Sequence, residues 1–67
     1  MDSYTIDYNR ATKHYEELLT FIEERTELKN KKEGTGRVDY RIKGTLESLK
    51  TDMRSLEKIQ YLYKNNQ

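Results

Sequence analysis

Lys31-Lys32-Glu33-Gly34-Thr35-Gly36-Arg37 is the stretch on which the fold turns. Two glycines flanking a Thr favour turn conformations and penalise helix, and no other segment of the 67 residues interrupts a helical pattern in this way. Upstream, residues 4 to 30 contain neither Gly nor Pro, and Tyr8, Ala11, Tyr15, Leu18 and Ile22 step by 3, 4, 3 and 4, the spacing of one helical face. Downstream, the spacing resumes through Val38, Ile42, Leu46, Leu49, Met53 and Leu56 and runs out near Ile59, Leu62 and Tyr63. The reading is therefore a helix over about 4–30, a loop over 31–37 and a helix over about 38–64. Asp2 and Ser3 are placed to cap the first helix, and the tail Lys64-Asn65-Asn66-Gln67 is read as frayed.

Two helices of about 27 residues, each roughly 40 Å long at 1.5 Å per residue, joined by a short connection, pack as an antiparallel hairpin. The fold class is all-α, in a single domain spanning 1–67. A rival reading takes Val38, Tyr40 and Ile42 as an alternating strand, with Gly44-Thr45 ending it and capping a shorter helix.

Composition narrows the function. With no Cys, disulfides and thiolate zinc sites are impossible, so a third common support for so small a core remains, a partner chain. The longest apolar run, Leu18-Leu19 followed by Phe21-Ile22, is far short of a bilayer span, and no basic-then-apolar leader is evident. A cytoplasmic protein is expected. Charged residues reach 37%, yet a formal net charge of +1 and regular apolar spacing argue against disorder.

The apolar surface is wider than one seam. Ala11, Tyr15, Leu18, Ile22, Ile42, Leu46, Leu49, Met53 and Leu56 form the expected structural seam. Phe21 and Leu28 lie to one side of it on the first helix, as do Ile59 and Leu62 on the second. Coverage of that breadth suits a helix with two neighbours, which predicts a homo-oligomer completed as a four-helix bundle, or a groove filled by a larger protein. Folding about Gly34 is expected to bring Tyr4 and Tyr8 against Tyr61 and Tyr63 at the open end, in rings suited to interfaces. The candidate partner-binding residues are thus Tyr4, Tyr8, Phe21, Leu28, Ile59, Tyr61, Leu62 and Tyr63.

Charge is segregated as well. Residues 1–28 carry three basic and seven acidic groups, whereas 29–43 carry six and two. Glu16, Glu23 and Glu27 form an acidic stripe on the first helix, and Lys43, Lys50, Arg54 and Lys58 a basic one on the second, so opposite faces are able to orient an assembly. Lys29, Lys31, Lys32, Arg37, Arg41 and Lys43 gather near the loop and mark an alternative, nucleic-acid-binding role against phosphates.

No catalytic residues are expected: there is one His, no Cys and no turn that positions a reactive Ser. His14, with Arg10 and Glu17 on its side of the helix, reads as a surface residue rather than a metal ligand, and no cofactor is called for. Gly34-Thr35-Gly36 lacks the Lys-Ser/Thr pair of a phosphate loop. The expected role is a non-enzymatic interaction module that oligomerises and binds or inhibits a larger protein.

Gly36-Arg37-Val38-Asp39-Tyr40, followed by Leu46-Glu47-Ser48-Leu49 and Leu56-Glu57, resembles the end of small phage head–tail joining proteins, in which a short hairpin precedes a final helix. That resemblance covers about a third of the chain and implies a structural piece of a viral assembly; the small size of the chain is compatible with a phage or mobile-element accessory protein. The helical hairpin also resembles the N-terminal part of certain SNARE proteins, which carry a third helix.

Overall fold

The computed structural model describes residues 3–65 and contains two α-helices, α1 (Ser3–Asn30) and α2 (Gly36–Asn65). They pack as an antiparallel hairpin measuring 55 × 17 × 13 Å. The strand reading of 38–42 is overturned, because α2 is helical from Gly36 onward and there is no strand among the described residues. Asp2, Asn66 and Gln67, to which capping and fraying were assigned, lie outside the described residues. Ser3 is already the first residue of α1.

The corner between the helices is built without glycine's special freedom. Among the described residues Lys32 alone has a positive φ, 58°, and no Gly does. Lys32 N–H donates to the Lys29 carbonyl at 3.0 Å and Glu33 N–H to the Leu28 carbonyl at 2.9 Å, the paired bonds of a Schellman cap. Thr35 then begins α2: its carbonyl accepts the Asp39 N–H at 2.8 Å, and its hydroxyl donates to the Asp39 carboxylate. That cap starts α2 two residues ahead of the expected Val38.

The helices meet along a line rotated from the expected one. Apart from Glu17, Ser48 and Ser55, the buried and half-buried positions on α1 are Asp7, Ala11, His14, Leu18, Phe21, Arg25 and Leu28, and on α2 they are Val38, Ile42, Thr45, Leu49, Asp52, Leu56 and Ile59. Both sets step by 4 and 3 in alternation, the spacing of a coiled-coil seam. Phe21, Leu28 and Ile59, expected on the flanks, are therefore seam residues. Tyr15, Ile22, Leu46 and Met53, expected in the seam, are exposed, Tyr15 by 53% and Met53 by 50%.

The cause is that two heptad stripes overlap on each helix, sharing Ala11 and Leu18 on α1 and Ile42, Leu49 and Leu56 on α2. At 100° per residue they lie roughly 75° apart on α1. The helices close along the stripe that has a short residue at Thr45 and charge partners across the joint. Only Ala11 and Val38 are buried apolar residues among those described, and two polar ones, Thr45 and Asp52, are as deep. A single copy thus has very little apolar interior.

Candidate interaction face

The displaced stripe forms one side of the hairpin. Tyr4, Tyr8, Ala11 and Tyr15 from α1 and Leu49, Met53 and Leu56 from α2 line a common shallow groove, edged by Thr12, Glu57 and Gln60. Ile22 and Leu46, both exposed, extend that side toward the loop. Tyr4 and Tyr8 stack with ring centroids 6.2 Å apart, stiffening one wall. At the open end Tyr4, Ile59 and Tyr63 line an adjoining hollow.

The folded chain exposes 5726 Å². A compact monomer of 8.1 kDa exposes about 4,500 Å² by the usual mass scaling, so the hairpin carries roughly 1,200 Å² more than its size requires. Its radius of gyration, 15.8 Å, likewise exceeds the about 11 Å of a compact domain of this length. Apolar side chains in that excess area remain in water, at a cost of about 25 cal/mol per Å² relative to being covered.

The predicted binding residues divide on this frame. Tyr4 and Tyr8 lie on the face, and Tyr63 beside it. Phe21, Leu28 and Ile59 are taken up by the hairpin's own seam. Tyr61 and Leu62 are exposed, by 68% and 51%, on α2 positions turned away from the groove. The expected meeting of Tyr8 with Tyr61 and Tyr63 is not seen, because facing residues have numbers summing to between 62 and 66, as in Arg10–Asp52, His14–Asp52 and Arg25–Asp39. That register sets Tyr8 against Leu56 instead. Tyr15, Ile22, Leu46 and Met53 are the face residues that sequence reasoning assigned to the core.

The basic residues near the loop do not share a side. Lys29, Lys31, Lys32, Arg37, Arg41 and Lys43 are all exposed. Arg37 and Arg41 are one helical turn apart, but Lys43, two positions beyond Arg41, is roughly 200° further round the helix. Arg41 also stacks its guanidinium 5.9 Å from the Phe21 ring centre. Arg37 and Arg41 therefore stand on one side of α2 and Lys43 on another.

The deepest chemistry is a polar layer inside the seam. Asp52 is 2% exposed and accepts from Arg10 Nε at 2.7 Å, while His14 Nδ1 lies 2.5 Å from its second oxygen. Arg10 also donates to Asp7 at 2.9 Å. Burial alone pushes the Asp52 carboxyl up, but hydrogen bonds from His14 and Arg10 more than offset it and hold the group below its ordinary 3.8. An ionised carboxylate only accepts, so His14 donates its Nδ1–H. His14 is therefore a seam residue paired with a buried acid, not the surface His expected from its neighbours in sequence.

A second bridge joins Arg25 Nε to Asp39 at 2.7 Å. The hydroxyl of Thr35 and the guanidinium of Arg25, in that order, hold the Asp39 carboxyl low. Among the described residues no group of three or more His, Asp or Glu converges as a metal site, and no helix is long and apolar enough to cross a membrane. Searches of family models, curated proteins and solved structures returned no match to this chain.

Proposed function

We propose that the protein is a non-enzymatic interaction module: a helical hairpin that self-associates through its exposed apolar face into a four-helix bundle, and that binds or inhibits a larger protein. The observation that carries this reading is the face itself. Tyr8, Tyr15, Ile22, Leu46 and Met53 are exposed side by side while the seam beneath them holds two buried apolar residues. The roughly 1,200 Å² by which the hairpin exceeds a compact monomer is on the scale of the about 800 Å² that each partner contributes to a stable interface. The division of the basic residues between opposite sides leaves the nucleic-acid alternative without a comparable surface.

Sedimentation equilibrium at micromolar concentration tests the reading. The wild-type chain is expected to sediment as a dimer, and the pair Tyr15→Glu with Met53→Glu, which places two charges on the face without touching the seam, as a monomer. A wild-type chain that is monomeric at these concentrations and still melts cooperatively overturns it.

A further inference from the structure

We infer that the two copies meet with their loops at the same end, related by a two-fold axis parallel to the helices. This rests on the self-association reading above and adds the direction of the contact. Closed symmetry leaves two ways of bringing the faces together. With the axis along the helices, α1 lies antiparallel to the partner's α2 and the loops adjoin. With the axis across them, α1 lies on the partner's α1 and the loops are at opposite ends.

The face is lopsided along its length. On α1 its exposed apolar side chains run from Tyr4 to Ile22 and stop, and that side continues toward the loop as Thr26 and Lys29. On α2 they begin at Leu46 and proceed toward the open end, with Asp39 and Lys43 on the loop side. Same-end docking lays apolar on apolar along the whole stripe. Opposite-end docking at full overlap sets Tyr4 and Tyr8 against the polar loop half of the other copy.

Same-end docking also brings two basic loops to one end, but these are solvent-exposed and screened beyond about 8 Å at physiological salt.

Because the chain has no Cys, Gly34→Cys gives one labelling site at the loop, in open space. Pulsed electron paramagnetic resonance on the nitroxide-labelled full chain is expected to show a separation of two to three interhelical spacings, about 20–30 Å. A separation near the 55 Å length of the hairpin overturns the orientation. Finding a monomer in every sample would instead reject the self-association reading, so the two failures are separable.

Discussion

Replacing Asp52 with Ala removes the one side chain that bridges Arg10 and His14, and the expected cost is about 1.5–3 kcal/mol. A hydrogen bond to a charged group contributes about 1.5–3 kcal/mol, so two bonds to a buried carboxylate set an upper range of about 3–6 kcal/mol. Roughly half of that is recovered, because the Arg10 side chain is 46% exposed and returns to water, and that of His14, at 24%, does so in part. For a domain of this length each kcal/mol moves the midpoint by about 4–8 °C, so Tm should fall by at least about 6 °C.

The measurement is thermal unfolding by circular dichroism at fixed protomer concentration, since association itself shifts Tm. Asp52→Leu, which keeps an apolar group at the same seam position, should recover most of the loss, as apolar replacements of buried ion pairs often do. The effect also has a pH signature. A carboxyl held below its unfolded value contributes stability that is complete above that value, about 3.8 here, and is lost as the pH falls through the folded value. Wild-type Tm should therefore drop more steeply below about pH 4 than that of Asp52→Asn. A Tm change under 2 °C at pH 7, with parallel acid limbs, would refute this account of the seam.

Two backbone changes are expected to stabilise. Gly44 sits in the interior of α2 with open space around the position of a Cβ, so Gly44→Ala should add about 1 kcal/mol, read as an increase in denaturation midpoint; a decrease would mean that the residue makes a contact not seen in the hairpin. Lys32→Gly should add about 0.5–1 kcal/mol by relieving a left-handed backbone at a side-chain-bearing residue, the gain being reduced by glycine's greater freedom when unfolded. An unchanged or lowered midpoint would count against the Schellman corner.

Much of the architecture was legible because it rests on local rules. The absence of Gly and Pro from 4–30, the apolar spacing on both sides of the loop and the Gly34-Thr35-Gly36 interruption suffice for two helices and a hairpin. The orientation of the seam was not legible. Ala11, Leu18, Ile42, Leu49 and Leu56 belong to both overlapping stripes, so periodicity weighs them equally, and hydropathy then prefers the stripe with Tyr15, Ile22, Leu46 and Met53. The deciding term is a long-range one, the pairing of Arg10 and His14 with Asp52 across 42 and 38 residues. A signal was present: Asp52, Thr45, His14 and Asp7 continue the heptad of Phe21, Leu28, Val38 and Ile59, and polar residues at heptad positions are a known device of coiled coils. The positive φ at Lys32 had no such signal, since two glycines stood close by.

A heptad joint lined only with leucine-like groups has neighbouring alignments one repeat apart that differ little in energy. Asp52 removes that degeneracy. Sliding α2 by seven residues would strand its carboxylate away from Arg10 and His14, deep in the joint and without a donor, a penalty no apolar contact there is large enough to repay. The acid works as a vernier mark: it contributes less to how tightly the helices hold than to which single alignment they accept. Because the positions of Tyr8 against Leu56 and of Tyr15 against Leu49 follow from that alignment, the outer surface inherits its pattern from one charge hidden beneath it.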